Sequence, residues 1–346
     1  MSRLSDLIRR LWRGRPAVEQ TAAPDPRVRR DIIVILDGTL SSLEPGRETN
    51  AGLTYQLLSE AADAHTVIRY EPGIQWASWR ATRDVLEGRG INRQIRRSYG
   101  FIASRYRPGD RIYLIGYSRG AYAVRSLAGL IDRVGLLRAE HATVRDIRTA
   151  YYHYRAGGRS DAARAFRDAY CHPGTRIEAV AVWDTVKALG MRLPLIWRIA
   201  ERRHAFHNHV LGDATLNGFQ ALALDETRVA YAPVMWHCHM DWPGHMEQVW
   251  FRGSHGDVGA QLRGFNAARP LANIPLVWML ERLENCGLTL PTSWQARFEQ
   301  DPDAPSVGTW RGFGWLFLAR ADRAVGKDVS ESIHPTVTKT PGSASR

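Results

Sequence analysis

Residues 110–131, DRIYLIGYSRGAYAVRSLAGLI, join an apolar strand to a helix of small residues through a tight turn. Gly116 and Gly120 lie two residues to either side of Ser118 in that turn. A Gly-x-Ser-x-Gly turn between a strand and a helix is typical of a nucleophile elbow, because a strained backbone exposes the hydroxyl and larger flanking side chains would clash. The stretch predicts a nucleophilic Ser118; the alternative is a fortuitous match in which Ser118 is an ordinary turn residue.

Strand and helix patterns alternate along the rest of the chain. Residues 90–106 place apolar side chains at helical spacing, namely Ile91, Ile95, Tyr99 and Ile102. Continuous apolar runs predict strands at 31–36 (DIIVIL), 66–71 (TVIRYE), 111–116 (RIYLIG), 176–183 (RIEAVAVW) and 247–253 (EQVWFRG). This alternation indicates an α/β fold, with a mostly parallel sheet and helices on both faces.

The pattern divides the chain into three predicted parts. Residues 1–29 read as a basic arm followed by a polar, proline-containing linker. Residues 30–320 carry the strand and helix signals and are predicted to form the catalytic domain. Residues 321–346 lose the apolar periodicity and are predicted to be a partly disordered tail.

Composition limits the class of protein and its location. The chain has 346 residues, 44% of them hydrophobic, which is enough for one large domain or two small ones. No apolar run reaches the roughly 18 to 20 residues of a membrane span, and the start lacks a secretory signal. Three widely spaced cysteines suggest neither a disulfide framework nor a Cys-x-x-Cys metal site. We expect a cytoplasmic protein, at the membrane surface if an anchoring helix forms, or one exported by a route other than Sec.

The net charge of +12 favours an anionic partner. No nucleic-acid motif with interleaved aromatic residues accompanies it, so we expect no nucleic-acid partner. Residues 1–14, MSRLSDLIRRLWRG, place leucines, Ile8 and Trp12 at helical spacing beside arginines, as in an amphipathic helix on an anionic membrane. The alternative is a disordered basic arm or a helix packed on the domain.

Two more polar side chains follow predicted strands in the order that a serine hydrolase of this type requires. Asp184 follows the strand at 176–183, and His255 follows the strand at 247–253 in a glycine-rich loop. Open α/β sheets place their sites at the carboxyl ends of the strands, so both can reach Ser118. We expect His255 to be the general base and Asp184 the acid that orients it. The alternatives are a helix cap at Asp184 and a backbone-bonded turn histidine at His255.

Other aspartates compete for the role of the acid. Asp257 lies only two residues beyond His255, so it would need an unusual loop to reach the far ring nitrogen. Asp225 is a third candidate, although a structural partner of Arg228 is the simpler reading. Asp184 is preferred as the acid. Asp257 is kept as a secondary candidate, and Asp37, in the turn after the first strand, is a further secondary site residue.

The turn after the first strand, ILDGTL at 35–40, is a candidate oxyanion loop. A haloacid-dehalogenase phosphatase would need a nucleophilic aspartate where Ile35 stands. In a serine hydrolase the backbone N–H of Gly38 or Thr39 can instead donate to the oxyanion, together with the N–H of Arg119. The alternatives are a plain turn fixed by the Asp37 side chain and a structural ion pair for the Arg119 guanidinium.

Metal and cofactor chemistry is not expected. Residues 236–247, WHCHMDWPGHME, contain three histidines and one cysteine, but the spacing of these ligands is unconvincing for a metal site. A solvated or packed loop is favoured there. The tryptophans Trp197, Trp236 and Trp242 belong either to a lid or acyl pocket or to the core.

Five motifs occur together in order: LDGT, PGDRIYLIGYSRGAYAVRSLAGLI, VAVWDTVKALG, ALALDETRVAYAP and QVWFRGSHGDVGA. With them the chain resembles a family of uncharacterised α/β-hydrolase domains that includes the catalytic domain of type VI secretion phospholipase effectors. The resemblance covers roughly residues 30–265, with SIHPTV near the end as a further match. It implies an α/β-hydrolase fold and a triad of Ser118, Asp184 and His255.

These observations predict a serine ester hydrolase of the lipase or phospholipase kind. It would cleave acyl esters of lipids through an acyl-enzyme at Ser118 without a metal or cofactor. One alternative is a soluble carboxylesterase or acyltransferase with the same triad. The other is a non-catalytic protein that binds a membrane surface. The sequence identifies neither an immunity protein nor a secretion partner.

Overall fold

A computed structural model describes residues 28–73, 89–186, 210–238, 242–311 and 317–338. In these ranges one sheet of parallel strands has the spatial order β2-β1-β3-β4-β5-β6-β7. The strands are β1 (Asp31–Leu36), β2 (Thr66–Glu71), β3 (Arg111–Tyr117), β4 (Ile177–Trp183), β5 (Thr215–Ala223), β6 (His245–Phe251) and β7 (Glu331–Ile333).

Helices cover both faces of this sheet. They are α1 (Asn50–Glu60), α2 (Arg89–Ala103), α3 (Arg119–Val134), α4 (Val144–Arg155), α5 (Asp161–Tyr170), α6 (His255–Val258) and α7 (Arg269–Asn285). Side chains of β1 alternate between the two layers: Ile32 packs in a core with α2 to α5, whereas Ile33 packs in a core with α1 and α7. Because both faces are buried, β1 is apolar from Ile32 to Leu36, and only its first residue, Asp31, is charged. The α/β-hydrolase-like fold class predicted from the sequence is confirmed.

The amphipathic pattern at 90–106 corresponds to α2. Ile91, Ile95, Tyr99 and Ile102 are at most 5% exposed, and all four pack in the same core. The spacing predicted the buried face of this helix because apolar residues three and four apart lie on one side of an α-helix.

Two strands, β5 and β7, were not among the predicted ones. In β5 the polar Asn217 and Gln220 interrupt the apolar run, and Gln220 is nevertheless fully buried. Its side chain accepts hydrogen bonds from Arg125 at 3.0 Å and from the Thr185 hydroxyl at 2.7 Å. The hydrogen bonds of the buried Gln220 amide come from other parts of the fold. The local sequence pattern therefore does not indicate that this polar residue lies in a buried strand.

The two ends of the chain differ in what the structure describes. The basic arm, including residues 1–14, lies outside the described residues. The predicted domain boundary at residue 320 does not coincide with an end of the fold, because residues 331–333 pair with β6 as β7. In the described part of the chain, no helix combines the length and apolar character needed to cross a membrane.

The strand order reverses between β1 and β3. The strands that follow β1 in the chain, β2 and β3, pair with it on opposite sides. Connections therefore leave β1 and β3 in opposite directions, and in open α/β sheets such a reversal is where binding sites form, at the carboxyl ends of the strands. Asp37 and Ser118 are the first residues beyond these two ends.

Candidate active site

Ser118 lies in a strained turn between β3 and α3. Its backbone has φ 57° and ψ −119°, and its N–H donates to the Trp183 carbonyl at 3.0 Å. The flanking glycines allow this turn: a Cβ on Gly116 would lie 2.8 Å from the backbone of Ala121, and one on Gly120 would lie 2.0 Å from the Leu36 carbonyl oxygen. Such strain in a non-glycine residue is typical of functional sites.

The serine hydroxyl, an imidazole and a carboxylate are connected by short hydrogen bonds. Ser118 Oγ is 2.9 Å from His255 Nε2, and His255 Nδ1 is 2.6 Å from Asp184 Oδ2. A carboxylate only accepts hydrogen bonds, so Nδ1 carries the proton and Nε2 is left to accept the Ser118 hydroxyl. Ser118 is 8% exposed and His255 3%, so the network is nearly closed to water.

His255 is held in place from several sides. The Tyr117 ring stacks on the imidazole with a centroid distance of 5.0 Å, and the Tyr231 ring lies 4.9 Å away. Tyr117 also donates its hydroxyl to the His255 carbonyl at 3.0 Å. The His255 N–H donates to Glu226 at 3.1 Å, and Glu226 forms a two-pronged ion pair with Arg228. These contacts fix the ring without occupying its two nitrogens.

Asp184 is the first residue beyond β4. It is fully buried, and its backbone φ is 37°. One oxygen accepts the Ala223 N–H at 3.1 Å. Arg323 binds the carboxylate with both terminal nitrogens, at 2.5 Å to Oδ1 and 2.9 Å to Oδ2. Burial alone raises the pKa of Asp184, but the charge and hydrogen bonds of Arg323 and His255 outweigh it and hold the pKa well below its usual range. Asp184 is therefore ionised at neutral pH.

The structure places Asp257 and Asp225 away from the imidazole nitrogens. Asp257 accepts hydrogen bonds from the Ser254 N–H and hydroxyl, the Ser306 hydroxyl and the Val307 N–H, at 2.6 to 2.8 Å. It caps the short helix α6 and joins it to residues 306–307. Asp225 accepts the Gly253 N–H at 2.7 Å, and Arg228 pairs with Glu226 instead.

The loop after β1 lies beside Ser118. A Cβ on Gly38 would be 3.5 Å from the Cβ of Ser118. The Gly38 N–H, however, is bound to Asp37 Oδ1 at 2.6 Å. Among the described residues, nothing accepts the N–H of Thr39 or that of Arg119. Of the two predicted donors in this loop, Thr39 is the one whose N–H has no acceptor within the described part of the chain.

Asp37 fixes this loop rather than contacting the imidazole. Its carboxylate accepts the hydroxyls of Thr49 and Tyr70, both at 2.7 Å, in addition to the Gly38 N–H. Burial raises the pKa of Asp37, and these hydrogen bonds lower it only in part. The Asp37 side chain therefore fixes the turn at residues 35–40, which is one of the two interpretations that the sequence allows for this motif.

The Arg119 guanidinium has no carboxylate partner within the described residues. Burial lowers its pKa, and the nearby Tyr231 phenol partly opposes that effect. Charged side chains are rarely desolvated without a partner. The structural ion pair considered for Arg119 is thus absent from the part of the chain that the structure describes.

The sequence analysis did not predict a role in the site for Glu226, Tyr231 or Arg323. Glu226 and Tyr231 fall within the motif ALALDETRVAYAP, whose order signalled the family but not their contacts. Arg323 lies in the predicted tail, 139 residues from Asp184. Only the three-dimensional fold brings it to the carboxylate.

Other predicted features lie elsewhere. Trp236 is buried in the core, Trp242 packs against that core, and Trp197 lies outside the described residues. Residues 239–241 of the histidine-rich segment are also outside the described residues. Within the ranges that the structure covers, no three His, Cys, Asp or Glu side chains are grouped as a metal site would require.

A model of one protein family matches residues 30–282; its description is "T6SS, Phospholipase effector Tle1-like, catalytic domain". Among curated proteins, the chain is similar to "Uncharacterized protein YEL023C" of Saccharomyces cerevisiae. The two are 34% identical over a 123-residue alignment that covers 31% of this chain and 18% of the yeast protein. The chain therefore spans only a small part of that relative.

Solved structures with similarity include the Tle1 effector bound to the VgrG spike of the type 6 secretion system, with 16% identity and a TM-score of 0.32. That alignment covers 71% of this chain and 56% of Tle1. An uncharacterised protein from Pseudomonas aeruginosa has 14% identity and a TM-score of 0.45, over 79% of this chain and 49% of its own. The esterase Est2 from Thermogutta terrifontis has 14% identity and a TM-score of 0.38, over 79% and 87%.

Proposed function

Because the chain belongs to the family of Tle1-like phospholipase effectors of type VI secretion, we propose that it is a serine hydrolase that cleaves acyl esters of phospholipids. The observation that carries this proposal is the hydrogen-bonded series Ser118, His255 and Asp184, at 2.9 and 2.6 Å. A hydroxyl within hydrogen-bond reach of an oriented imidazole is the arrangement needed to activate a serine nucleophile.

In the proposed mechanism, Ser118 Oγ attacks the ester carbonyl carbon while its proton passes to His255 Nε2. The carbonyl oxygen becomes an oxyanion that accepts the N–H groups of Arg119 and Thr39. The ester C–O bond then breaks, and His255 returns the proton to the leaving alcohol. Water repeats the sequence on the acyl-enzyme, releasing the fatty acid and the free serine. Ionised Asp184 holds the Nδ1 proton and stabilises the imidazolium in both halves.

The Arg119 side chain favours a phospholipid over a neutral ester. It directly follows the nucleophile, is partly buried, and has no carboxylate partner among the described residues. A phosphodiester lies only a few bonds from each acyl ester of a glycerophospholipid, and guanidinium groups bind phosphate oxygens in two-pronged fashion. A substrate phosphate would supply the negative charge that no described carboxylate provides to this guanidinium.

Turnover of phospholipid vesicles tests the proposal. Wild type is expected to release fatty acid and lysophospholipid, measured by mass spectrometry, and Ser118→Ala is expected to lose at least about a thousandfold in rate. Ser126→Ala is the matched control: it removes a hydroxyl from the same helix, bonded there to the Tyr122 carbonyl, and should keep activity within about twofold. Full activity of folded Ser118→Ala would contradict the mechanism.

The same assay separates the two alternatives. Hydrolysis of short soluble esters with no increase on vesicles would indicate a carboxylesterase or acyltransferase. Vesicle binding without any turnover would indicate a non-catalytic membrane-surface protein.

Substitution of Arg119 tests the substrate class. Arg119→Gln is expected to lower kcat/KM on phospholipid about tenfold more than on a neutral short-chain ester, because only the phospholipid loses a charge-assisted contact. Arg145→Gln removes an exposed charge from α4 and serves as the control for net charge. Equal losses of kcat/KM on both esters would show that Arg119 does not bind the substrate phosphate.

A further inference from the structure

Arg323 makes four hydrogen bonds at the back of the triad. Besides the two to Asp184, its terminal nitrogens donate to the Ala223 carbonyl at 2.8 Å and to the Tyr231 carbonyl at 2.6 Å. Its side chain is 3% exposed. Guanidinium groups stay protonated in proteins, so this is a permanent buried charge.

The contacts of Arg323 join three elements that carry the site. Ala223 is the last residue of β5, and its own N–H donates to Asp184. Tyr231 ends a 3₁₀ helix, and its ring packs against His255. One side chain thus fixes the acid, the neighbouring strand end and an aromatic wall of the imidazole.

The carboxylate of Asp184 is fully coordinated in this arrangement. Oδ1 accepts from Arg323 and from the Ala223 N–H, while Oδ2 accepts from Arg323 and from His255. An ionised carboxylate has about four acceptor sites, so all of them are used. Without Arg323, half of these sites would be empty on a buried anion, which is strongly unfavourable.

We propose that Arg323 is a positioning residue of the reaction, which locks the plane of the Asp184 carboxylate and holds Tyr231 against His255. The inference rests on the proposed function and extends it, because it makes the chain beyond residue 320 part of the catalytic apparatus. Arg323 has no hydrogen bond to Ser118 or to the His255 ring, and it acts through Asp184.

Arg323 also sets the protonation of Asp184. Burial raises the pKa of this carboxyl, and the positive charge and hydrogen bonds of Arg323 are among the effects that lower it. When Arg323 is removed, Asp184 is expected to take up a proton at higher pH. Among the described residues, the other charged or titratable groups near Asp184 and His255 are Tyr117, Tyr231, Asp37, Arg119 and the Glu226–Arg228 ion pair.

The test compares Arg323→Met, Arg323→Lys and the control Arg320→Met in the full chain, with a short-chain soluble ester as substrate. Arg320 lies on the same segment and donates to Thr227 and to the Thr309 carbonyl, without contacting Asp184. Wild type and Ser118→Ala are measured alongside, and thermal unfolding is recorded for every variant.

For Arg323→Met we expect kcat to fall about tenfold to a hundredfold with KM nearly unchanged. We also expect the acid limb of the pH dependence of kcat to move up by about one pH unit. Added guanidinium ion should restore part of the rate. Arg323→Lys should keep the acid limb of the wild type while losing several-fold in kcat, because a lysine keeps the charge but not the two-pronged geometry. Arg320→Met should leave both quantities unchanged.

Different results overturn different claims. If turnover depends on Ser118 but folded Arg323→Met keeps the wild-type kcat and acid limb, the inference about Arg323 is wrong and the proposed function stands. If Arg323→Met does not fold, full kcat in Arg323→Lys would overturn the inference instead. If wild type has no turnover that depends on Ser118, the proposed function and this inference fail together.

Discussion

Asp184 and Asp257 are two buried aspartates near His255, and their partners assign them different tasks. Asp184 binds the imidazole and Arg323, whereas Asp257 accepts four hydrogen bonds from its own loop and from residues 306–307. Both carboxylates are nearly inaccessible to water. Burial alone therefore does not distinguish the proposed catalytic acid from a structural carboxylate, but the identity of the donors does.

Substituting each aspartate by asparagine should separate these tasks. Asp184→Asn is expected to lower kcat about a thousandfold or more, because the amide no longer holds the Nδ1 proton in place. Asp257→Asn should instead lower the free energy of unfolding by about 2 to 3 kcal/mol, since an amide group faces buried N–H donors. Its kcat should stay within about tenfold of wild type at a temperature where it is folded. Steady-state kinetics and denaturant unfolding of both variants measure this, and the reverse assignment of losses would refute it.

The three positions of the proposed triad could be predicted because each polar residue lies within four residues of the end of a strand whose last residues are apolar. Ser118, Asp184 and His255 occupy the residue or turn just beyond β3, β4 and β6. Glu226 and Arg323 could not be predicted in this way, because their roles depend on contacts across long stretches of chain. His255 is 29 residues from Glu226, and Asp184 is 139 residues from Arg323.

At the scale of elements, the close approach of α3 to the end of β1 builds the site. Gly120, in the first turn of α3, abuts the Leu36 and Asp37 carbonyl oxygens, where a Cβ would lie 2.0 and 2.6 Å away. This contact holds the first turn of α3, which begins at Arg119, against the start of the loop that contains Thr39. The first turn of α3 needs a glycine because the backbone at the end of β1 lies directly against it. A backbone, unlike the end of a flexible side chain, cannot shift to make room for a Cβ.

Gly120→Ala is accordingly expected to prevent folding or to inactivate the enzyme. The added Cβ must displace β1 or α3, and overpacking against backbone costs about 1 to 3 kcal/mol or more. Gly100→Ala in α2 is the control: its Cβ meets only the mobile end of Ile147 at 2.7 Å, and alanine has the higher helix propensity. Circular dichroism and ester turnover of the two variants provide the comparison. An active, stable Gly120→Ala would show that the close approach is unnecessary.

Elements were predictable where their side chains pack on apolar neighbours, and less so where buried polar groups pair with each other. β1 and β3 have continuous apolar sequences, and α2 has a helical stripe. β5 instead carries Gln220, whose partners come from α3, the Thr185 turn and β6. The three-residue β7 is too short for a periodic signal, although Glu331 anchors it by accepting the indole N–H of Trp250 at 2.8 Å.

For the whole molecule, the net charge of +12 predicts a preference for anionic surfaces. Turnover on vesicles containing anionic lipid should exceed that on zwitterionic vesicles at low salt and fall as salt rises, since salt screens the attraction. Deleting residues 1–14 should reduce turnover on anionic vesicles but not on a soluble ester. A loss on the soluble ester would show that this segment supports the fold rather than membrane binding.

Acid should destabilise the folded protein. Asp184, Glu226 and Asp328 have lowered pKa values in the folded state, so the unfolded chain binds more protons in acid. Their stabilising contributions are present above about pH 5 and are lost as pH falls through 4.

Asp37 acts in the opposite direction, because its raised pKa makes the folded state take up a proton first as pH falls. The free energy of unfolding should therefore decrease between about pH 5 and pH 3, and more steeply in Asp37→Asn. Urea unfolding across this range measures both slopes. Equal slopes in the two proteins would contradict the environment assigned to Asp37.

The central claim is that Ser118 is an activated nucleophile, and covalent labelling tests it most directly. Wild-type protein would be treated with a fluorophosphonate, digested, and mapped by mass spectrometry, with His255→Ala treated in parallel. The account predicts a single adduct on the peptide containing Ser118 and almost none in folded His255→Ala. Folded wild type that remains unlabelled, or that is labelled on a different serine, would contradict it.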